Sequence, residues 1–141
     1  MNQRFDSSAA PPPLGPYPHA RRVGNLLFLS GIGPRQPGAK VPPGVELDSA
    51  GGVTRYDIET QCRSMFANVR SVLEAAGARW DQLVDITVFL TDLERDFAVY
   101  NHVYAEHFPD PAHQPCRTTV GVARLPGPIA VEAKCVAVLE C

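Results

Sequence analysis

One periodic apolar pattern, over residues 55–76, constrains the fold more than any other part of the sequence. Its apolar side chains recur at the spacing of one face of an α-helix, and they are Ile58, Cys62, Met65, Phe66, Val69, Val72, Leu73 and Ala76. Thr54 or Asp57 can cap the start of this helix, and Gly77 suits its end. A helix with one apolar face has to bury that face against a second layer, which the rest of the chain must supply.

The segments on either side of this helix predict strands and a second helix. An apolar run at 23–30 ends at Gly31 and is typical of a buried strand. Residues 83–91 alternate between apolar and polar side chains, as a strand does. A second helix follows, and Pro109 and Pro111 end it. The apolar face of that helix consists of Phe97, Tyr100, Tyr104 and Phe108.

The C-terminal part predicts two strands, at about 117–125 and 129–139, joined by a tight LPGP turn at 125–128. Residues 33–52 form a long loop, which in a compact domain is expected to cover a site or to be partly mobile. The order of strands, helix, strand, helix and strands favours one α+β domain over residues 1–141. We expect a mixed sheet with both helices packed on one face.

Such a fold leaves the other face of the sheet apolar and uncovered, because a chain of 141 residues has nothing left to hide it. Self-association is therefore predicted. The N-terminal part is unsuited to helix or central strand, since residues 9–18 contain five prolines. Residues 1–12 are expected to form a flexible or extended arm, which is either a loose tail or docked on the domain.

Composition excludes several classes of protein. The 13 Lys and Arg residues against 15 Asp and Glu give a net charge of -2, so no basic field attracts nucleic acid. No apolar run approaches the roughly 20 residues that a membrane span needs, and the first residues do not resemble a secretory signal. A cytoplasmic protein is expected. Four scattered cysteines predict neither a zinc site nor a disulfide scaffold; they are Cys62, Cys116, Cys135 and Cys141.

No local motif of a hydrolase, a phosphate loop or a dinucleotide site is present. The candidates for chemistry are therefore polar residues at positions typical of a sheet interior, and Arg117 is the first of them. It begins a predicted strand on which the other residues of the same side, Thr119, Gly121 and Ala123, are small. Its guanidinium would then project over an open floor, where it could bind a carboxylate with two hydrogen bonds. The alternative is a surface arginine in an ion pair at the start of a strand.

Glu132 is the second candidate. It lies between Val131 and Ala133 on the next predicted strand, with Lys134 on the same face. A glutamate in an apolar wall has a raised pKa and can move protons near neutrality. The alternative is the exposed side of an edge strand, with Glu132 and Lys134 paired to each other.

Four weaker candidates have common structural explanations. Tyr17 in the proline-rich segment is usually a packing anchor, and Ser30 with Gly31 is usually a turn. Asn101 falls on the apolar face of the second helix, where a buried amide needs partners. It is either a structural hydrogen-bonding group or a ligand contact.

Seven segments resemble the Rid (also called YjgF) family in order and spacing, from about residue 13 onward. They are GPY at 15–17, FLSG at 28–31, LEAAGA at 73–78, TVFLTDL at 87–93, FAVYNHVYAEHF at 97–108, CRTTVGVARLP at 116–126 and VEAKCVAV at 131–138. Within the family, the glycine-rich insert at 33–52 is similar to that of the 2-aminomuconate deaminases of aromatic-compound breakdown.

The resemblance implies a chorismate-mutase-like fold and a homotrimer, with the sheets forming a central barrel and three pockets at subunit interfaces. Arg117 matches the arginine that grips a substrate carboxylate, and Glu132 the glutamate that positions water or moves a proton. The pocket residues that it implies around them are Tyr17, Ser30, Gly31, Asn101 and Thr119. Thr119 stands where many relatives carry a cysteine, which excludes thiol chemistry at that position.

The implied reaction is hydrolytic deamination of an enamine or imine carboxylate without cofactor or metal, with 2-aminomuconate as the expected substrate and 4-oxalocrotonate plus ammonia as products. The second carboxylate of 2-aminomuconate would need a cationic or hydrogen-bonding partner, and the candidates are His19, Arg22, Arg35 and Lys40. Alternatives are a general deaminase of 2-aminoacrylate-type compounds, a module that binds a small carboxylate without turnover, and a nuclease or translation inhibitor.

Overall fold

The computed structural model describes residues 2–140 as eight strands and two long helices. The elements are β1 (Asn2–Phe5), β2 (Ala20–Val23), β3 (Leu26–Leu29), β4 (Val45–Leu47), β5 (Val53–Tyr56), α1 (Ile58–Ala75), β6 (Leu83–Leu90), α2 (Leu93–His107), β7 (Cys116–Gly121) and β8 (Val131–Val138). Short 3-10 helices lie at Trp80–Gln82 and Pro111–His113.

Six of the strands form one mixed sheet in the order β1-β2-β3-β8-β6-β7, and β4 and β5 form a separate antiparallel pair. Within the large sheet only β6 and β7 are parallel. The two helices pack against each other and against β8 and β6. The predicted α+β fold, a mixed sheet with two helices on one face, is confirmed.

Helix α1 carries the apolar face that its sequence predicts. Asp57, not Thr54, caps it: the Asp57 carboxylate accepts a hydrogen bond from the Thr60 amide at 3.1 Å, whereas Thr54 belongs to β5. Gly77 follows the C-terminus with a φ of +72°, a left-handed conformation that suits glycine. Gln61 and Asn68 are buried on the same face, and they are polar residues that the apolar pattern does not include.

Helix α2 differs from its prediction at one aromatic residue. Tyr100, Tyr104 and Phe108 are buried, but Phe97 is 38% exposed. Val103 and Asp96 are buried on this helix as well, and the Tyr56 hydroxyl donates to the Asp96 carboxylate at 2.6 Å. Phe97 lies beside Arg117, near the free edge of the sheet that β7 forms. That position leaves part of its ring open to solvent.

Two predicted segments contain more structure than expected. The run at 23–30 is not one strand, because Val23 ends β2 and Leu26 begins β3. Gly24, with a φ of +62°, makes the turn between them, and the two strands pair as a hairpin. The predicted loop at 33–52 contains β4, which pairs with β5 just before α1.

The predicted hairpin between the last two strands is wrong. Strand β7 does not pair with β8, since β6 lies between them. A parallel pair needs a crossover connection, and α2 supplies it between β6 and β7. The other edge of β6 then pairs with β8, so residues 122–130 have to cross the end of β6 rather than turn tightly.

The N-terminal arm is docked on the domain. Strand β1 pairs with β2, and Ala10 is buried. The buried His19 holds the arm with both ring nitrogens: Nδ1 accepts from the Ser7 amide at 2.9 Å, and Nε2 lies 2.7 Å from the Pro11 carbonyl oxygen. With Nδ1 accepting, the ring proton lies on Nε2, which donates to the Pro11 carbonyl.

The sheet face that points away from the helices is apolar on β3 and β8. Leu26 and Phe28 are each 39% exposed there, and their cross-strand partners are Val138 and Val136. These four residues are called the open face below. Within the described part of the chain, no helix combines the length and the apolar character needed to cross a membrane. Exposed apolar area of this kind favours association with further copies of the chain.

Replacing Phe28 by aspartate should dissociate the protein. A charge on the open face would have to be buried in the contact, and burial of one Phe side chain is worth about 1.5–3 kcal/mol. Light scattering coupled to size exclusion should give an oligomer for the wild type and a monomer for Phe28→Asp. Val53→Asp changes a residue exposed to a similar degree on the separate β4–β5 pair and should keep the wild-type mass. Equal masses for the two variants would contradict the role of the open face.

Candidate functional site

Four of the predicted site residues line one cavity beneath the proline-rich arm: Tyr17, Ser30, Gly31 and Glu132. The arm forms one wall, and the chain that follows β3 forms another. Residues about a hundred positions apart in the sequence meet here, because Ile32 pairs with Ala133 of β8 in an isolated bridge. The pairing of β3 with β8 therefore builds this part of the site.

Glu132 is half-buried in the cavity wall, and desolvation raises the pKa of its carboxyl above that of an ordinary glutamate. Its strand β8 lies inside the sheet, so the alternative of an exposed edge strand is wrong. Lys134 does not pair with it but donates to the Leu29 carbonyl. A carboxyl with a raised pKa keeps its proton to a higher pH than an ordinary glutamate does, which suits it to proton transfer.

Gly31 makes room for this carboxylate. A Cβ atom at position 31 would lie 2.6 Å from Oε1 of Glu132, which is too close for any side chain without displacement. The constraint is one of space, since the φ of Gly31 is not among the positive values. Gly31 therefore allows the Glu132 carboxylate to lie against the backbone, and a side chain at position 31 would displace that carboxylate.

Ser30 and Tyr17 hold the arm in place. The Ser30 hydroxyl donates to the Pro18 carbonyl at 2.7 Å, and its amide donates to the His19 carbonyl at 2.9 Å. The Tyr17 hydroxyl oxygen accepts from the Leu14 amide at 3.2 Å, which leaves its own proton free to donate.

The other predicted site residues, Arg117, Asn101 and Thr119, lie together at the opposite edge of the sheet. Arg117 and Asn101 line a separate open cleft, and Nη1 of Arg117 donates to Oδ1 of Asn101 at 2.8 Å. The guanidinium also stacks 4.6 Å from the centre of the Tyr104 ring and 5.4 Å from that of Tyr100. One nitrogen is thus fixed, while the exposed side of the group remains open to a ligand.

Two expectations about this half of the site are wrong. Asn101 is exposed rather than buried, and Arg117 supplies its partner. The space above the small residues of β7 is not an open floor, because α2 fills it. Thr119 Oγ1 lies 2.8 Å from the Tyr100 hydroxyl, and a Cβ at Gly121 would lie 3.1 Å from that of Leu93. The small residues admit the helix, and Arg117 rests on its aromatic side chains.

Tyr104 is a candidate site residue that sequence reasoning missed. Its hydroxyl is buried at the cleft and has no hydrogen-bond partner among residues 2–140. Burial, with the neighbouring Tyr100, raises the pKa of Tyr104 to about 12, so the group remains a donor at neutral pH. The sequence did contain a signal, since Tyr104 lies three residues after Asn101 on the same helix.

Arg117 and Glu132 project from opposite faces of the sheet. Arg117 pairs with Ile86 of β6, and Glu132 pairs with Phe89. Paired residues share a face, and positions 86 and 89 of one strand point to opposite faces. The sheet of a single chain therefore separates the two groups, and one small substrate reaches both only if they come from different copies.

The four candidate partners for a second substrate carboxylate lie at different places in the fold. Of the four, Arg35 and His19 line the cavity that contains Glu132. Both nitrogens of His19 are used by the arm, as described above. Arg22 lies on β2 and donates to the Gly24 carbonyl, and Lys40 is exposed outside the cavity. Arg35 is the remaining candidate.

In the described part of the chain, neither the cysteines nor the potential metal-binding side chains form a reactive cluster. Among residues 2–140, no group of three or more His, Cys, Asp or Glu side chains is arranged to hold a metal ion. Burial raises the pKa of Cys62 and of Cys135 to about 12. Cys116 is exposed, and Cys141 lies outside the described residues.

Known proteins share this sequence and fold over almost their full length. A family model described as Endoribonuclease L-PSP matches residues 7–139. The RutC family protein PH0854 of Pyrococcus horikoshii is 37% identical, covering 99% of this chain and 100% of that protein. A 2-iminobutanoate/2-iminopropanoate deaminase of Dermatophagoides farinae is 35% identical, covering 93% and 91%. The crystal structure of the YjgF gene product of E. coli superposes with a TM-score of 0.81 at 32% identity, covering 98% and 99%.

Replacing Glu132 by glutamine tests whether burial raises the pKa of its carboxyl. Below about pH 4 the group is mostly protonated in both the folded and the unfolded chain. As the pH rises, the unfolded chain releases its proton first, so the folded state loses about 1.4 kcal/mol for each unit by which its pKa is the higher. Glu132→Gln avoids this loss, and we expect its stability relative to wild type to increase between about pH 4 and about pH 8.

Urea unfolding at both pH values and one protein concentration measures this difference. Glu46→Gln removes an exposed carboxylate of β4 and serves as the matched control. A stability difference between Glu132→Gln and wild type that is the same at both pH values, as in the control, would refute the raised pKa.

Proposed function

This chain belongs to the L-PSP endoribonuclease family, to which the Rid and YjgF proteins also belong, and we propose that it is a deaminase that hydrolyses imine carboxylates. The observation that carries the proposal is the pair of complementary half-sites: a guanidinium fixed by Asn101 with open donors, and a half-buried glutamate with a raised pKa. The similarity to the 2-iminobutanoate/2-iminopropanoate deaminase of Dermatophagoides supports the same reaction.

Arg117 binds the substrate carboxylate in this proposal. A planar guanidinium forms two parallel hydrogen bonds to a carboxylate and remains charged at any working pH. The contact with Asn101 and the stacking on Tyr104 keep the group oriented before substrate arrives.

Glu132 handles water and protons. As a carboxylate it accepts a proton from a water molecule while the water oxygen forms a bond to the imine carbon and the C=N electrons move to nitrogen. Glu132 returns this proton to the nitrogen, which gives the neutral carbinolamine. The proton of the carbinolamine hydroxyl then passes through Glu132 to the same nitrogen, so that the C–N bond breaks with NH3 as the leaving group while the C=O bond forms. Imine and water give a 2-oxo acid and ammonia, so the balance needs no cofactor. An enamine substrate enters after protonation at carbon, for which the protonated Glu132 is suited.

Each complete site takes its two halves from neighbouring copies. Arg117 and Glu132 lie on opposite faces of one sheet, and the open face favours contact between copies. A closed ring of three, as the family resemblance implies, would provide three sites, each with Arg117 from one copy and Glu132 from the next.

Mixing two inactive variants should restore part of the activity. Arg117→Ala and Glu132→Gln are each expected to reduce kcat/KM for ammonia release from 2-iminopropanoate at least about 100-fold, because a charged anchor or a proton carrier is lost. When equal amounts are unfolded and refolded together, about a quarter of the sites combine both native residues. Recovery to about a quarter of wild-type activity is expected. Arg22→Ala, outside both cavities, is the control with full activity.

Two results would contradict this function. No recovery on mixing, with oligomers intact, would show that the halves do not combine between copies. Full activity of Arg117→Ala would end the proposal for that residue.

The narrower proposal concerns the substrate. On the similarity of the 33–52 insert to the 2-aminomuconate deaminases, we expect freshly prepared 2-aminomuconate to be deaminated with at least about tenfold higher kcat/KM than 2-aminoacrylate. Loss of the 2-aminomuconate absorbance together with ammonia release measures the first, and ammonia release alone measures the second. Equal values would identify a general imine and enamine deaminase.

Two other functions make different demands. A carboxylate-binding module needs Arg117 alone, so turnover by Glu132→Gln equal to wild type would favour it. The family description names an endoribonuclease, and RNA cleavage that persists on purification and is lost in Arg117→Ala would favour that activity. The net charge of -2 offers little attraction for a polyanion.

A further inference from the structure

Two charged side chains face the cavity beneath the arm, Glu132 and Arg35. The proposed hydrolysis steps use Glu132 but not Arg35, which so far is only the remaining candidate for a second carboxylate partner. Arg35 belongs to none of the ion pairs among residues 2–140. It is partly buried, so its position beside a cavity with no anionic partner of its own calls for a ligand-based explanation.

The segment that carries Arg35 is held by two side chains of α1. The buried Asn68 amide donates to the carbonyl oxygens of Gly33 at 2.9 Å and of Arg35 at 2.6 Å. The Ser64 hydroxyl donates to the Pro34 carbonyl at 2.7 Å. These three hydrogen bonds fix the backbone from which the Arg35 side chain extends.

The guanidinium itself is anchored at one nitrogen. Nη2 of Arg35 donates to the Pro12 carbonyl of the arm at 3.0 Å. A guanidinium carries five N–H donors, so several remain for a ligand. Arg35 is therefore oriented in the same way as Arg117, with one contact to the protein and the rest of the fork open.

The cavity admits only a small group. Its volume is about 50 Å³, room for a few water-sized groups. An acid group has a suitable size, and beside Glu132 it would be repelled unless a cation offset its charge. Arg35 is that cation. A substrate with a neutral alkyl group at this position would make no favourable charge interaction with Arg35.

Resting on the deaminase function proposed above, we infer that Arg35 binds a second acid group of the substrate and selects imines of dicarboxylic acids. Arg117 of one copy holds the carboxylate beside the reacting carbon. Arg35 of the neighbouring copy, in the cavity of Glu132, binds the carboxylate at the far end.

Two imines separate this role from general damage to the site. An amino-acid oxidase generates 2-iminoglutarate from glutamate and 2-iminopropanoate from alanine in the assay, and ammonia release above the spontaneous rate gives kcat/KM for each. Arg35→Gln should lower the ratio of the dicarboxylic to the monocarboxylic value at least tenfold, as loss of one charged contact does. Arg35→Lys, which keeps the charge without the fork, should lower it less. Arg22→Gln is the matched control and should keep the wild-type ratio.

A ratio that changes less than tenfold in Arg35→Gln overturns the inference, because a purely structural contact with Pro12 would affect both substrates alike. A wild type that hydrolyses 2-iminopropanoate but not 2-iminoglutarate also overturns the inference. Calorimetric binding of 2-oxoglutarate tests Arg35 without turnover, and Arg35→Gln should weaken it at least tenfold. A wild type that accelerates neither imine refutes the proposed function, and the binding measurement then decides on Arg35 separately.

Discussion

Hydrogen bonding along both edges of β6 determines the arrangement of the rest of the molecule. One edge pairs antiparallel with β8, and the other pairs parallel with β7. The parallel pair requires a crossover, which places α2 over the sheet, and the fully buried Ile86, Val88 and Leu90 form the floor on which the helical layer packs. Because the register pairs Arg117 of β7 with Ile86 and Glu132 of β8 with Phe89, the two charged residues lie on opposite faces of the sheet and in different cavities.

Elements defined by local periodicity were predictable, and those defined by the choice of partner were not. Helix α1 appears where its apolar repeat predicts it, because 3.6-residue spacing and an aspartate cap act within one segment. The pairing of β7 depends on α2 and β6, both distant in sequence, so the LPGP segment looked like a hairpin turn. Gly24 divides the apolar run at 23–30 through a backbone conformation that an apolar pattern does not register.

The candidate site shows the same division. Small residues on β7 were recognised, but the helix that fills the space above them was not. The fit of Gly31 against Glu132 joins residues that sequence spacing cannot relate. Resemblance to a family supplied roles for individual residues, whereas only the three-dimensional arrangement separates them into two half-sites. The aromatic pattern of α2 places Tyr104 in the core, but it does not indicate that its hydroxyl has no hydrogen-bond partner among residues 2–140.

Thr119 has a consequence for the chemistry of the site. Its hydroxyl bonds to Tyr100 beside Arg117, and neither cavity of the candidate site is lined by a cysteine among the described residues. The C=N carbon of a 2-imino acid is an electrophile, and a thiolate close to it would add to that carbon in competition with water. A site lined by hydroxyl, amide, guanidinium and carboxyl groups offers no such nucleophile. Within these two cavities the proposed hydrolysis is therefore not diverted into a thiol adduct.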